Sequence, residues 1–253
     1  MFYNRQVRTL LCPQGLARVQ KFPCPIQTIV SNVCSKVFQM NETQIKIIEA
    51  AEIEFAERGY GGASIREITK RAGVNIAAIN YHFGTKEVLF KEMVRHRIEP
   101  INHLRIDMLE KATIENDSKP LPIQKVVDFM VRPLLSQLIG EPGTDFRLMR
   151  AMGKAMSEER AFMKELHQDI LKEIVTKFSK AISDSLGNPS FEKISYGMHF
   201  LSCCMLGVMM QHSRLQFISR GKIDLHDTDG LADHLVAFIS SGLEAVSKLS
   251  PKT

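Results

Sequence analysis

The fold of this protein is decided by residues 64–89, which read SIREITKRAGVNIAAINYHFGTKEVL. Ser64 stands three residues before a glutamate, which is the spacing of a capping box and predicts a short helix that ends near Arg71. After an Ala-Gly-Val turn, Asn75 is placed to cap a second short helix that ends near His82. Two short helices joined by a glycine-containing turn are typical of a helix-turn-helix, whose second helix enters the major groove of DNA.

The residues around these two helices support the same geometry. The apolar positions that would pack them together are Ile65, Ile68, Ala72, Val74 and Ile79. Between Gly59 and Lys86 the chain has four basic residues and one acidic residue. The acids instead lie on the preceding helix, predicted from Asn41 to Gly59, at Glu42, Glu49, Glu52, Glu54 and Glu57. Such a local separation of charge is the electrostatic pattern of a DNA-binding surface.

The overall charge is less informative than this local pattern. The chain of 253 residues has a formal net charge of +5. Residues 1–40 contain five basic residues and no acid, so residues 41–253 are neutral overall. We expect residues 1–40 to be a disordered extension, or one translated from a start codon placed upstream of the natural Met40. An organellar transit peptide is a weaker alternative because prolines interrupt any amphipathic helix, and the three cysteines of this segment do not have metal-site spacing.

The composition of the remaining chain and the spacing of its predicted loops indicate an all-α protein. Hydrophobic residues make up 44% of the chain and charged residues 24%, which excludes disordered and collagen-like classes. No apolar run reaches the roughly 18 residues that a membrane span needs. A helix from Lys86 to about Glu110, bent at Pro100, precedes a polar loop at residues 113–122. Further helices are predicted at about 123–139, 145–156, 159–186, 191–219 and 229–249.

Residues 64–74 and 79–89 closely resemble the DNA-binding domain of the tetracycline-repressor (TetR) family, and residues 47–60 resemble its first helix. The resemblance is specific because several spaced features agree. It implies a dimeric, all-α regulator of the bacterial cytoplasm, associated with the nucleoid. A helix-turn-helix DNA-binding domain would occupy residues 41–90, and a helical domain for effector binding and dimerisation would occupy residues 91–253.

The family pattern, carried over position by position, implies three groups of DNA-contacting residues. The first group, at the start of the first short helix, is Ser64 and Arg66. The second group, at the groove-facing start of the recognition helix, is Asn75, Ile76, Ala77 and Ala78. The third group, near the phosphate backbone, is Asn80, Tyr81, His82 and Lys86.

At one position this sequence departs from the family pattern, and the DNA-contact roles next to it are therefore not fully assigned by the resemblance. Many members have a tyrosine where Asn80 stands, so which of Asn80, Tyr81 and His82 reaches a phosphate stays open. The predicted recognition helix also has no arginine or lysine, so a bidentate guanine contact from it is not expected. We therefore expect base readout from Arg66 and Asn75, with methyl contacts and DNA shape supplying the rest.

Structural interpretations also stay open for single positions. Tyr81 fits a core aromatic as well as a phosphate contact, whereas Phe83 is expected in the core. His82 could be a surface histidine without a partner, and Lys86 could be a solvated lysine. A cation at a helix N-terminus is mildly unfavourable, which favours a phosphate next to Lys86.

Two C-terminal helices predict the dimer interface. Residues 196–210 are apolar on nearly every face, which predicts burial between the subunit core and a partner subunit. The last helix carries the stripe expected of the other half of a dimeric four-helix bundle. That stripe is Leu231, Leu235, Phe238, Ile239, Leu243 and Val246.

Methionines are abundant on the helices that would form an effector pocket. They are Met130, Met149, Met152, Met156, Met163, Met198, Met205 and Met209. They suit a lipophilic effector, but they could equally be ordinary core residues. Residues 147–153 also weakly resemble family members that sense fatty acids or acyl-CoA, in which an arginine could meet a carboxylate or phosphate. The candidate ligand-binding residues are Arg147, Arg150, Met149, Met152 and Met205.

The expected function is a ligand-responsive transcriptional regulator, most simply a repressor. It would bind double-stranded DNA at a pseudo-palindromic operator as a homodimer and be released by a small lipophilic effector. The alternative is an effector-independent DNA-binding protein that acts through a protein partner, which a solid C-terminal core would support and an apolar cavity would disfavour. An enzyme is not expected because the sequence contains no catalytic constellation, metal-ligand spacing or cofactor motif, and a membrane partner is not expected either.

Overall fold

The computed structural model describes residues 40–139, 147–158, 161–210, 212–224 and 227–250. Within these ranges the elements are helices joined by turns, without a strand, so the predicted all-α class is confirmed. The predicted N-terminal extension lies outside the described residues apart from Met40, and so do residues 140–146, between α5 and α6 of the structure.

Ten helices form in the described residues. They are α1 (Glu42–Gly62), α2 (Ile65–Ala72), α3 (Ile76–His82), α4 (Lys86–Glu115), α5 (Ile123–Ile139), α6 (Arg147–Ser157), α7 (Ala161–Ser185), α8 (Phe191–Met210), α9 (His212–Ile218) and α10 (Thr228–Ser247). None of them combines the length and the apolar character that a membrane-spanning helix requires.

Polar caps begin the N-terminal helices where the sequence predicts them. At α1 the Asn41 Oδ1 atom accepts a hydrogen bond from the Gln44 N–H at 3.0 Å, and Gln44 Oε1 accepts one from the Asn41 N–H at 2.9 Å. At α4 the Thr85 hydroxyl oxygen accepts a hydrogen bond from the Val88 N–H at 3.1 Å. These side chains satisfy amide groups that the first turn of a helix leaves without partners.

The end of α1 differs from the prediction. Gly59 has the left-handed backbone expected of a helix-ending glycine, with a φ of 72°, but helical geometry resumes and continues to Gly62. The extra turn directs the chain into α2, and its peptide groups become contact points for the C-terminal half of the protein. A side chain at position 59 would be strained because of the positive φ.

The first three helices and the start of α4 share one apolar core. Phe55, Ile68, Ile79 and Leu89 are fully buried in it, and Phe83 is buried as predicted. The other apolar positions predicted to pack the helix-turn-helix are half-buried against the same core; they are Ile65, Ala72 and Val74. We call this unit, residues 41–90, the head.

Helix α4 joins the head to the C-terminal half. It continues to Glu115, five residues past its predicted end near Glu110, with Pro100 inside it. The expected domain boundary at residue 90 therefore falls within one helix.

Packing in the C-terminal half corrects the predicted dimer stripe. Leu235, Ile239 and Leu243 of α10 are buried inside their own chain, where α10 packs against α5. These stripe residues are therefore covered within the subunit, whereas Phe238 of the same predicted stripe is exposed. The helix predicted at 191–219 is helical over its described residues, as α8 to Met210 and α9 from His212 to Ile218, and residue 211 between them lies outside the described residues.

Candidate DNA-binding surface and ligand cavity

Helix α3 presents its first turn to solvent. The side-chain oxygen of Asn75 accepts a hydrogen bond from the Ala78 N–H at 2.9 Å and so caps the helix. The amide nitrogen of Asn75 is then the group that can donate to DNA. Ile76 and Ala77 are exposed and Ala78 is half-buried. This turn is suited to contacts with thymine methyl groups and to close approach to the groove floor.

The cations of α2 do not all contribute to the exposed positive surface. Arg66 and Lys70 are exposed. The Arg71 Nη2 atom lies 3.1 Å from Glu57 Oε2 and 3.7 Å from Glu54 Oε2. Arg71 therefore neutralises acids of α1, and the basic surface of α2 rests mainly on Arg66 and Lys70.

The capping box predicted at Ser64 is absent. Ser64 precedes α2, but its hydroxyl makes no cap hydrogen bond. The Ser64 N–H instead donates to Glu54 Oε1 at 3.3 Å. Glu54 is only 1% exposed and lies 3.2 Å from Arg58 Nε. The Glu54 carboxylate therefore takes the backbone donor that the Glu67 side chain would accept from in a capping box.

The end of α3 carries polar and aromatic groups on the same exposed side as its first turn. Tyr81 is 85% exposed, so the core interpretation of this residue was wrong. Its ring lies 4.9 Å from the His82 ring in an edge-to-face arrangement. Asn80 is exposed and His82 is half-buried. These are donors that can reach a DNA backbone running past α3.

Lys86 has a partner within the chain. Its Nζ atom donates a hydrogen bond to the Ala63 carbonyl at 2.6 Å and lies 4.9 Å from the centre of the Tyr60 ring. The carbonyl belongs to the cap of α1, where a cation is favourable. This contact explains a lysine in the first turn of α4 without a phosphate, in contrast to the sequence argument.

A cavity of about 670 Å³ lies between α4, α5, α7 and α8. Aliphatic and methionine side chains form most of its wall, including the predicted ligand-binding residues Met152 and Met205. Exposed polar residues of α7 also border it, namely Lys164, Glu165 and Gln168. The volume and the apolar wall are typical of a small-molecule site.

The arginines predicted to meet a ligand are not brought to this cavity by the described contacts. Arg147 is half-buried at the start of α6 and does not line it. The side chains of Met149 and Arg150 lie outside the described residues. Two further methionines from the predicted pocket helices, Met130 and Met163, do line the cavity.

Arg105 of α4 is a cavity-lining cation that the sequence analysis missed. It is 3% exposed, and burial lowers its pKa to about 9, so it remains charged at neutral pH. Its Nη1 atom donates to Asn102 Oδ1 at 3.1 Å. Among the described residues, its Nε and Nη2 atoms have no hydrogen-bond partner. The signal that could have found it is a basic residue on the apolar stripe of α4, in step with Ile98 and Ile101.

Helix α6 connects the cavity to the head. Lys154 Nζ donates to the carbonyls of Ala56 and Glu57 at 2.8 and 2.7 Å. The Glu158 carboxylate accepts a hydrogen bond from the Gly61 N–H at 2.9 Å. Both contacts hold the last turn of α1, next to α2, while Met152 of the same helix lines the cavity.

The start of α7 makes a similar double contact. The Phe162 ring lies 4.8 Å from the Tyr60 ring of α1 and 5.7 Å from the Phe90 ring of α4. The residues on either side of it, Ala161 and Met163, line the cavity. In this short segment, residues that line the cavity therefore alternate with a residue that contacts the head.

An exposed apolar surface runs along α8 and α10, and we call it the α8–α10 face. Its large members are Tyr196, Phe200 and Phe238, the last of which is 70% exposed. Cys203, Gly242 and Ala245 are small exposed residues of the same helices. The opposite side of α8 is buried in its own chain at Met198, Leu201 and Met205, and the predicted cover of the exposed side by a partner subunit stays a prediction.

Within the part of the chain that the structure describes, no group of three His, Cys, Asp or Glu side chains could hold a metal ion.

Two family models match the chain. The model described as "Bacterial regulatory proteins, tetR family" matches residues 47–93, and the model described as "Tetracyclin repressor-like, C-terminal domain" matches residues 128–242. A related protein is the probable HTH-type transcriptional regulator YttP of Bacillus subtilis. It is 25% identical over 178 residues, which span 70% of this chain and 80% of YttP.

Solved structures show the same fold. The fatty acid degradation regulator FadR from Bacillus halodurans superposes with a TM-score of 0.61 at 17% identity, over 81% of this chain and 98% of that one. FadR from Bacillus subtilis, solved in complex with stearoyl-CoA, superposes with a TM-score of 0.54 at 17% identity, over 78% of this chain and 98% of that one.

Proposed function

Because this chain belongs to the tetR family of bacterial regulatory proteins, we propose that it binds a pseudo-palindromic operator as a homodimer. The members of this family are transcriptional regulators and not enzymes. The protein would release the operator when a small lipophilic effector enters the cavity. The observation that carries this proposal is that α4, α6 and α7 both line the cavity and hold the head. Its site of action would be the chromosome in the bacterial cytoplasm, and its simplest effect would be repression.

The proposed DNA contacts follow the exposed edge of the head. The first turn of α3 enters the major groove, with Asn75 donating to a base and Ile76, Ala77 and Ala78 contacting methyl groups. Arg66 reads a base from the start of α2, next to Ser64. Asn80, Tyr81 and His82 contact the phosphate backbone, and Lys86 supports that contact from its place at the cap of α1.

The proposed dimer interface is the α8–α10 face. A large exposed apolar surface marks an interaction site, and a symmetric pair of two-helix units would form a four-helix bundle. Pairing of two subunits would place two recognition helices on one side of a duplex. Half-sites about one helical turn apart, or a multiple of that distance, are the expected operator geometry.

The proposed response to the effector runs through α6 and the start of α7. An occupant of the cavity presses on Met152 and Met163, whose neighbours Lys154 and Phe162 hold α1. A shift of these elements changes the spacing of the two heads. The effector lowers DNA affinity only to the extent that it binds this second arrangement more tightly. The presence of an apolar cavity favours this function over an effector-independent regulator that acts through a protein partner.

Selection of bound duplexes from a random pool tests the DNA-binding part of the proposal. We expect enrichment of one inverted repeat, and binding to it should fall steeply between about 50 and 200 mM salt. Ile76→Asp, on an exposed side chain, should abolish binding because it places a carboxylate against the duplex. Ile114→Asp makes the same change on an exposed side chain of α4 far along from the head and should bind normally. Failure to retain any duplex at low ionic strength would refute the proposal.

Thermal-shift screening of lipophilic acids and drugs tests the effector part. A compound that stabilises the protein should also release the selected operator in a mobility-shift assay. Compounds that bind saturably but leave the operator complex unchanged at every concentration would contradict the proposed ligand response while leaving DNA binding intact.

A further inference from the structure

We propose that Arg105 is the receptor for the carboxylate of an apolar monoacid, whose hydrocarbon body fills the cavity between α4, α5, α7 and α8. This inference rests on the proposed function because it names the chemical class of the effector. It moves the ligand's anionic head from Arg147 and Arg150, where the sequence suggested it, to a residue buried in the middle of α4.

The free edge of Arg105 has the geometry of a carboxylate receptor. The Nε and Nη2 atoms lie on one edge of the guanidinium, so together they can donate two parallel hydrogen bonds to one ligand group. These are the two atoms of Arg105 without a hydrogen-bond partner among the described residues. A planar two-oxygen anion matches this fork bidentately, which a single hydroxyl or carbonyl cannot do.

The remaining donor of Arg105 fixes the orientation of that edge. Nη1 donates to Asn102 Oδ1 at 3.1 Å, and Asn102 Nδ2 donates in turn to the Ile170 carbonyl of α7 at 3.0 Å. Asn102 is buried as well. The guanidinium is thus held between two helices that both line the cavity, which reduces the entropy lost when a ligand is bound.

Other arginines of the chain show what a structural pairing looks like. Arg132 lies within 3.2 Å of carboxylate oxygens of three aspartates, at positions 128, 229 and 233. The Nε atom of Arg97 lies 2.8 Å from Glu52 Oε2. Arg105 is more buried than either, yet it forms no salt bridge with a carboxylate of the described residues. Since an uncompensated buried charge is destabilising, the missing anion is the expected contribution of a ligand.

The wall of the cavity defines the rest of the ligand. Apolar residues form most of it, among them Ile98, Met130, Leu134, Ile174 and Met205. Such a wall favours a flexible or elongated hydrocarbon body. The ligand class is therefore an amphiphilic carboxylic acid with a single charge.

Direct binding to the DNA-free protein tests the inference. Octanoate, decanoate and dodecanoate would each be titrated in calorimetry, beside the primary alcohols of the same length. We expect saturable binding of at least one acid, and weaker binding of its alcohol by about tenfold to a hundredfold, the range for a hydrogen-bonded charge pair. Arg105→Gln keeps a donor for Asn102 but removes the charge and the fork. It should weaken acid binding by the same factor and leave alcohol binding unchanged, whereas Arg105→Lys should give an intermediate loss.

Three results would overturn the inference. The first is that none of the three acids binds saturably. The second is that acid and alcohol bind equally well to the natural protein. The third is that the ligand-free Arg105→Gln variant melts well below the natural protein, because a partner inside the chain would then explain the arginine. An acid that binds through Arg105 but leaves the operator complex intact would refute only the proposed ligand response, so the two failures are distinguishable.

Discussion

The head and the C-terminal half differ in where their candidate binding residues lie. In the head these residues are exposed side chains of two short helices, and Arg66, Asn75 and Tyr81 lie within one continuous stretch of the chain. In the C-terminal half they lie on separate helices, where Arg105, Met152 and Met205 meet around one cavity. A surface that must fit an external duplex is built locally, whereas an enclosed pocket needs walls from distant parts of the chain.

The comparison implies that changes in one region should be separable from changes in the other. Variants of the head should alter operator affinity and leave ligand binding intact. Variants of the cavity should have the reverse effect. The α8–α10 face should affect operator affinity through dimerisation, and the contacts of α6 and α7 with α1 should affect how strongly the effector changes operator affinity.

The largest effect is expected for Phe238→Asp. A charge on this exposed residue of the α8–α10 face should prevent two chains from associating, and a single head retains only weak binding. Operator affinity should fall by about a thousandfold or more, toward nonspecific binding. Light scattering coupled to size exclusion, together with mobility shifts, measures both properties. Ile114→Asp is the matched control, and a Phe238→Asp protein that remained dimeric would show that another surface forms the dimer.

The second effect is expected for Arg66→Ala. Loss of one base contact should weaken operator binding by about 1–3 kcal/mol and relax the preference at one position of the site. Fluorescence anisotropy with operators substituted one base pair at a time measures this change. Lys70→Ala removes an equal charge from the same helix and should weaken all sequences alike. The same uniform loss for Arg66→Ala would identify Arg66 as a phosphate contact.

A smaller effect is expected for Lys154→Met, which tests the link between the two regions. The variant loses two hydrogen bonds to carbonyls at the end of α1 and keeps the apolar stem. The ratio of operator affinities with and without effector should shrink by about 0.5–2 kcal/mol, whereas effector binding to the free protein stays constant. Lys172→Met, on an exposed side chain of α7 that does not line the cavity, is the control. An unchanged ratio would indicate that α4 or the start of α7, and not α6, connects the cavity to the head.

The smallest effect concerns pH and His96, at the junction of the two regions. Burial, and then the neighbouring Arg97, lower the pKa of His96 below its ordinary value of 6.5, against the opposing effect of Glu52 and Glu92. The unfolded chain therefore binds this proton more readily than the folded chain. Stability should fall modestly as the pH drops through about 6.5, and His96→Gln should flatten this part of the profile in urea titrations. An identical pH profile of stability for the natural protein and the His96→Gln variant would contradict this prediction.

The sequence analysis was most accurate where a signal and its consequence lie within a few residues. The caps at Asn41, Asn75 and Thr85 were predicted correctly because each binds an amide three residues away. The box at Ser64 failed because a residue ten positions earlier, Glu54, takes over the backbone donor. That contact depends on how α1 packs, which the local pattern does not contain.

Local sequence patterns also failed to identify cavity residues whose roles depend on segments far apart in the chain. Met152 and Met205 were selected from their composition and helical setting, and both line the cavity. Arg105 was missed because its role depends on Asn102 and on a carbonyl 68 residues from Asn102. The buried stripe of α10 was assigned to the dimer because an apolar stripe does not specify which helix covers it.

The sequence by itself determined the all-α class, the helix-turn-helix and the residues that it exposes, since these follow from periodicity, capping and turn chemistry over short distances. Only the tertiary structure decided which apolar stripe packs inside the subunit, which face of α8 remains uncovered, and that a charged arginine lines the cavity. The physical reason is that burial and hydrogen-bond pairing are properties of contacts between segments far apart in the chain, and many arrangements of helices satisfy the same local pattern.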